Sequence, residues 1–359
     1  MSLDPNSSAA PLPPLLGAGS AVLAFDVGGT DLKAALVDES GVIRELMRVP
    51  TPLDGERTAD AVLARVGELA RDLLANHPGV HPRTAGLLVP GQVDEEGGVG
   101  VFSENLGWTG YPFRDRAQGI LGMSVSFGHD VRGAGEAEHR LGAAAPFRDV
   151  VVMTIGTGIA GAIFIQGRLY TGHGLAGEMG HSKVADDPQC VCGGRGCLEA
   201  VASAGAIARR YTQATGQVVT GSKDVLGRAA RGDVPAREIW ESALDALALD
   251  LSHTVALLAP EAIVIGGGLS QAGAALFEPL GRRLDAILTY QSRPKLLRAS
   301  IGEDAGVVGA ALRARDLVDH LAGDRDQEGP DDPHGPDTHA GSASTPAAPV
   351  TSTESIILT

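Results

Sequence analysis

The sequence predicts an α/β fold built twice over, and three observations carry that expectation. An apolar strand, Ala21–Asp26, runs into Gly28-Gly29-Thr30 and leaves through a second strand, Ala34–Asp38. The same arrangement returns at Asp149–Ile155, Gly156-Thr157-Gly158 and Ala160–Ile165. One glycine turn is weak evidence, but a repeated strand–turn–strand unit points to internal duplication. Finally, apolar strands at Ala85–Val89 and Ala262–Ile265 alternate with helix-period segments, as α/β proteins require. At 359 residues, 43% hydrophobic, the chain is long enough for two domains with buried cores.

Taken in order, residues 1–19 are rich in Pro, Ser and Ala and are expected to be irregular. In the first hairpin, glycine lets backbone N–H groups face an anion, and Thr30 adds a hydroxyl. Asp26 at the strand end is placed to face a magnesium ion through water. Lys33 either reaches phosphates or is simply solvated. The competing reading of the whole unit is an ordinary hairpin turn. Val42–Thr51 reads as a strand, and Thr58–Ala75 as a helix with Val62, Leu63, Val66, Leu69 and Leu73 on one face. Asn105 offers a donor and an acceptor, suited to a hydroxyl pair. Trp108 either walls a sugar or belongs to the core.

Ser124–Phe127 is a short strand leading into Gly128-His129-Asp130, with a helix from Arg132 to Leu141. A carboxylate at the carboxyl end of a strand is a usual catalytic position. Aspartate at such a junction is also a common helix N-cap, so both readings of Asp130 stand. Helices are expected at Leu198–Ala214, Ala236–Leu258, Gln271–Thr289 and Ala305–Leu321, and a strand at Leu297–Ile301. Gly266-Gly267-Gly268 at a strand end either accommodates an adenine or ribose or is a plain turn. Beyond Ala322 the chain is acidic and rich in Gly, Pro and Ser, and is read as irregular.

The stretch Gly177–Glu199 has the most specific chemistry. All three cysteines, Cys190, Cys192 and Cys197, fall there, with His181 just upstream. Thiolates with an imidazole favour tetrahedral zinc, here in a closed structural site. Free cysteines packed as small hydrophobes are the alternative, but the neighbouring glycine, arginine and glutamine make a poor core. His181 alone could instead hold a substrate hydroxyl. Glu178 and Glu199 flank the cluster, so a metal there would fix two acceptors against one pocket, which suits a polyol such as a sugar.

A net charge of −15 argues against a nucleic-acid surface. Cysteines confined to one cluster leave no disulfide framework and fit a reducing cytoplasm. No stretch has the length and apolarity of a spanning helix, and no signal peptide is expected.

In combination, Asp26-Val27-Gly28-Gly29-Thr30, Ile155-Gly156-Thr157-Gly158, Gly177-Glu178-Met179-Gly180-His181, Cys190-Val191-Cys192 through Cys197-Leu198-Glu199, and Gly266-Gly267-Gly268 resemble the ROK family of sugar kinases and related repressors. The resemblance covers nearly all of residues 21–321. It implies an actin-like (ribonuclease H-like) two-lobed fold. The lobes would be residues 20–135 with the closing helix 305–321, and residues 136–304 carrying a zinc loop at 181–197, with tails 1–19 and 322–359 outside them. It implies transfer of the γ-phosphate of ATP to the 6-hydroxyl of an aldohexose, glucose or N-acetylglucosamine, with Asp130 as general base. Asn105, Asp130, Glu178, His181 and Glu199 would hold the sugar. Asp26, Gly28, Gly29, Thr30, Lys33, Gly156, Thr157, Gly158 and Gly266–Gly268 would hold ATP and Mg2+. His181, Cys190, Cys192 and Cys197 would bind Zn2+. Family members are commonly homodimers or homotetramers. His129 departs from the asparagine more often found there, which leaves the hexose open, as polyphosphate in place of ATP is left open. The alternatives are a sugar-responsive repressor, for which no helix-turn-helix precedes the first strand, and a non-catalytic sugar sensor.

Overall fold

Thirteen strands and nine helices are described by the computed structural model, which covers residues 16–327. β1 (Val22–Val27), β2 (Asp31–Val37) and β3 (Ile43–Pro50) form an antiparallel meander, followed by helix α1 (Thr58–Asn76) and strand β4 (Thr84–Val89). Three short strands, β5 (Gln92–Asp94), β6 (Val99–Ser103) and β7 (Trp108–Tyr111), make a separate small sheet. Then come α2 (Phe113–Leu121), β8 (Ser124–His129) and α3 (Asp130–Leu141). The second half repeats the meander as β9 (Val150–Ile155), β10 (Ile159–Ile165) and β11 (Arg168–Tyr170). It continues with α4 (Leu198–Ala202), α5 (Ala204–Thr215), α6 (Ser222–Ala230), α7 (Val234–Leu258), β12 (Ala262–Gly266), α8 (Ala274–Ile287), β13 (Lys295–Arg298) and α9 (Ala305–Gln327).

The duplication is explicit in the sheets. One has the order β3-β2-β1-β4-β8 and the other β11-β10-β9-β12-β13. In both, the first three strands are antiparallel and the last two join in parallel. β1 and β9 share one burial pattern, in which the fifth residue alone is incompletely buried. Those residues are Asp26 and Thr154, so the duplication places them in equivalent positions.

Each sheet buries both faces. α1 lays Val62, Leu63, Val66, Leu69 and Leu73 on the first sheet, and each such side chain contributes on the order of 1.5–3 kcal/mol of transfer free energy. The opposite face is covered by Val307, Val308, Ala311 and Leu312 of α9. α7, whose buried face includes Trp240, Leu244, Leu247 and Leu251, covers the second sheet with α8. Trp108 is 3% exposed and packs edge-on against Phe113, so of its two readings the core one holds.

Several boundaries differ from expectation for identifiable reasons. The helix expected over 198–214 is two helices, because Ser203 is extended and its hydroxyl caps α5 by accepting from Ala206 N. The strand expected at 297–301 is Lys295–Arg298, because the N–H groups of Ser300 and Ile301 donate to Glu138 instead of continuing the ladder. α8 starts at Ala274, after a 3₁₀ turn at Gly268–Ala272. α3 starts at Asp130, and its N-cap is His129, not the aspartate. α9 runs on to Gln327, past the expected end, since no proline interrupts it before residue 330. The rest of the acidic tail, and residues 1–15, lie outside the described residues. Gly19 N donates to Glu39 O, and Arg315 reaches the Leu16 and Gly17 carbonyls, so the end of the first segment is tethered. Among the described residues, no helix is long and apolar enough to cross a membrane.

Candidate active site

Three cavities meet at the carboxyl ends of the two sheets. The first, about 470 Å³, is lined by the two glycine turns (Gly29, Thr30, Gly156, Thr157, Gly158) together with Asn105, His129, Asp130, Glu178 and Glu199. The second, about 170 Å³, is lined by Asp26, Asp130, Thr154, Glu138, Gly267 and Gly306, among others. The third, about 450 Å³, is lined by Gly266, Gly267, Gly268, Ser270, Gln271 and Arg298, among others. Asp130 and Thr154 belong to the first and second, and Gly266 and Gly267 to the second and third. The result is a polar chamber with acceptors, a small acidic junction, and a glycine-lined chamber, in that order.

The sheet ends set this arrangement. Asp130 is the first residue of α3, directly after β8, and its Oδ1 accepts from Val131 N at 2.7 Å. Burial raises its carboxyl from 3.8 to about 6, against the opposing pull of the Val131 N–H and Arg132. Burial also raises Asp26, with the Asp130 charge adding to it, to about 7, although Lys33 Nζ lies 3.8 Å away. Two desolvated acids on one small cavity are poorly compensated without a cation between them.

His129 is buried and is pushed down to about 4, first by desolvation and then by the Arg132 charge. Its Nδ1 accepts from Arg132 N at 3.4 Å, which leaves the proton on Nε2 of the neutral ring.

Glu178 and Glu199 reach the first cavity from the two flanks of the cysteine segment. Glu178 stands just before a 3₁₀ turn, Met179–His181, its side chain making no capping bond, and Glu199 lies in the first turn of α4, with Cys197 at the N-cap position. Glu199 Oε2 accepts from Ile159 N at 2.8 Å, fixing it to the second hairpin. Leu198 N donates to Ser182 O, and Lys183 pairs with Cys197, so the flanks lie side by side.

His181, Cys190, Cys192 and Cys197 place their ligand atoms within 4.8 Å of one another. Cys190 Sγ is 3.8 Å from His181 Nδ1, and Cys192 Sγ is 3.6 Å from Cys197 Sγ. Burial and the adjacent thiols push Cys197 up to about 12, a penalty that a cation at their centre would remove. Three thiols and an imidazole are a donor set that fits a soft or borderline metal ion.

Most of the residues expected to form a site are therefore brought together. Of the residues expected to hold sugar or ATP, three are not among those lining the three cavities. His181 stands in the cysteine cluster. Gly28 closes the first hairpin, its N–H on Asp31 O and its carbonyl accepting from Thr51 Oγ1. Lys33 is engaged by Asp26 and the Glu303 carbonyl. Sequence reasoning missed Thr154 and Glu138. Thr154 could have been found by aligning the two repeated strands, where it stands opposite Asp26. Glu138 carried no local signal. It is 1% exposed and accepts from the N–H groups of Ala143, Ser300 and Ile301.

The profile of the ROK family matches residues 22–316. Glucokinase of Thermotoga maritima is 33% identical over 315 residues, spanning 83% of this chain and 98% of that protein. N-acetylmannosamine kinase of Citrobacter koseri is 32% identical over 298 residues, spanning 82% and 98%. Among solved structures, a ROK family glucokinase from Streptomyces griseus in complex with glucose and AMPPNP superposes with a TM-score of 0.71 at 29% identity, covering 83% of this chain and 100% of that one. With the duplicated sheets, the converging glycine turns and the cysteine–histidine cluster all in place, the chain belongs to the ROK family.

Proposed function

We propose that the protein is an ATP-dependent hexose kinase that phosphorylates the 6-hydroxyl of an aldohexose, glucose or N-acetylglucosamine, with Asp130 as the general base. One observation carries this reading: Asp130 is the one ionisable residue shared by the acceptor-lined chamber and the acidic junction leading to the glycine-lined chamber. A proton acceptor belongs at that boundary, between a hydroxyl on one side and a phosphoryl group on the other. The named kinase relatives support the class of reaction.

The chemistry follows from position. Phosphoryl transfer is catalysed chiefly by alignment and charge stabilisation. Glu178, Glu199 and Asn105 orient the ring hydroxyls, and His129 offers its Nε2–H to a sugar oxygen. Asp130 takes the proton of the attacking hydroxyl. A carboxyl near 6 is mostly ionised at neutral pH yet more basic than an ordinary aspartate, which suits that task. Gly29, Thr30, Thr157 and Gly158, at the tips of the two turns, would present N–H groups to the phosphates, while the Gly28 and Gly156 N–H groups close the turns themselves, and Gly266–Gly268 leave room for the nucleoside. Asp26 would hold magnesium through water, and the bound ion would supply positive charge for the phosphate oxygens. His181, Cys190, Cys192 and Cys197 would hold zinc, which when bound pins the Glu178 turn against α4. On this reading residues 20–135 with 305–321, and residues 136–304, are two lobes that close over the substrates and exclude water. Cysteines confined to one cluster fit a cytoplasmic enzyme, and the family resemblance suggests a homodimer or homotetramer.

A coupled ADP-release assay with magnesium-ATP tests the reading, run across glucose, N-acetylglucosamine, N-acetylmannosamine, mannose and fructose. ADP release that depends on at least one aldohexose is expected. No sugar-dependent release from folded protein with any of the five would refute it. A parallel arm with polyphosphate identifies the donor.

A further inference from the structure

Beside the acceptor-lined chamber lies a charge network, centred on one buried arginine, that no step of the proposed reaction uses. Arg132, two positions after Asp130 on α3, is 1% exposed. Its Nε donates to Glu95 Oε1 at 2.7 Å, and its Nη1 donates to the Gly174 carbonyl at 3.1 Å. Glu95, which follows β5, also takes a bond from Arg313 Nη1 of α9 at 2.8 Å on its other oxygen. Arg313 pairs in turn with Glu136 of α3. Burial opposes the ionisation of Glu95, but Arg313 and Arg132 outweigh it and hold the carboxyl below its usual range. The Arg313 guanidinium passes so close to β8 that a Cβ on Gly128 would lie 1.9 Å from Nη1. The network is therefore built against the strand end that delivers His129 and Asp130.

Its other end matters more. Gly174 belongs to the loop between β11 and the 3₁₀ turn that Glu178 precedes. A cavity of about 630 Å³ lies beside this loop, lined by Gln92–Glu96, Arg132 and Leu169–Gly174. Side-chain packing on that side therefore does not fix the loop. Its backbone does touch Val93: Gly174 has φ +83°, and a Cβ there would lie 2.7 Å from Val93 O. The guanidinium fork is the directional tie between α3 and this loop, and a planar fork holds two acceptors at fixed angles where an ammonium cannot.

We propose that Arg132, seated on Glu95, is a positioning residue that keeps the Asp130 end of α3 in register with the Glu178 loop, and so sets sugar affinity. This rests on the reading of Asp130 and Glu178 given above. The expected signature is selective. Arg132→Met raises the sugar KM tenfold or more while the ATP KM stays within twofold, because no residue of the network lines the chambers that carry the glycine turns and Gly266–Gly268. Arg132→Met alone leaves the Glu95 charge with one partner fewer, so the double variant Glu95→Gln/Arg132→Met separates stability from register. The double variant should recover melting temperature relative to the single variant without recovering sugar KM. A sugar KM within twofold of wild type in the double variant overturns the proposal and leaves the network a stabilising feature. Should Arg132→Met not fold, Arg132→Lys decides. It keeps a charge beside Glu95 but loses the fork, and an unchanged sugar KM in that variant also overturns the proposal. Asp130→Asn is assayed alongside: persistent turnover there would refute the underlying reading of the base, whereas its loss with unaltered Arg132 variants would refute only the positioning role.

Discussion

Replacing Asp130 with asparagine is expected to cut turnover sharply and to stabilise the protein, and both follow from removing one buried carboxylate. The wild-type carboxyl is raised from 3.8 to about 6. A folded-state value above the unfolded one means that the fold prefers the protonated acid. Its ionisation therefore opposes folding, with no penalty below about pH 4 and the full penalty above about pH 6 to 7. Converted at about 1.4 kcal/mol per pH unit, the penalty approaches 3 kcal/mol. The side chain is 23% exposed, so solvent screening reduces it, and about 1–2 kcal/mol is the working expectation. Asparagine keeps the oxygen that accepts from Val131 N, so no backbone donor is orphaned. It also removes the charge that helps to raise Asp26. Thermal melts without ligands at pH 8 should show Asp130→Asn a few degrees above wild type, and the gap should shrink to about a third at pH 4.5. Sugar-dependent ADP release should fall by about two orders of magnitude or more, as loss of a general base commonly brings. Retained turnover would refute the catalytic assignment. A variant less stable than wild type at pH 8 would refute the claim that the carboxylate is strained by burial.

Three further outcomes follow from the same geometry. With Asp130 required as the anion, kcat/KM for sugar should fall as pH drops through about 6, close to tenfold per pH unit below it. A profile flat from pH 7.5 to 5 would exclude this base. Removing bound metal with a chelator should loosen the Cys190–Cys197 loop and raise sugar KM, since the cluster's flanks carry Glu178 and Glu199. Equal sugar affinity in verified metal-free protein would dissociate the cluster from the pocket. Glu138→Ala should cost about 1–3 kcal/mol in denaturant melts. It removes the buried carboxylate that accepts from the half-buried Ala143 and Ile301 N–H groups and from the exposed Ser300, and water access at Ser300 limits the loss. A loss under 1 kcal/mol would mean that water replaces the carboxylate.

Much of the fold was legible because its signals are local. The two hairpins, the Thr58 helix and the buried strand 262–266 each announce themselves in a window of a dozen residues. The small sheet β5–β6–β7 and the helix α6 went unseen. Strands of three to five residues leave too short a pattern, and α6 buries only Val225. Ser203 was read through because a serine inside an apolar run and a serine capping a new helix look alike in one dimension.

The site divides along the same line. Residues whose role depends on residue type and near neighbours, such as the cysteine cluster and the glycine turns, could be named from spacing. Residues whose role depends on distant partners could not. Arg132 finds Glu95 and Gly174, and Glu138 finds Ser300 and Ile301, at separations that no local window spans. Lys33 shows the converse. Its place beside a phosphate-type hairpin points to a ligand contact, yet the fold delivers the Glu303 carbonyl and the Asp26 carboxylate to its ammonium. Such long-range pairs join α3, α9 and the Gly174 loop beside Asp130. The local motifs thus supply the chemical groups, and the non-local ion pairs set the distances between them. A change in hexose preference could therefore arise in Glu95 or Arg132 as readily as in Glu178, with every motif residue left intact.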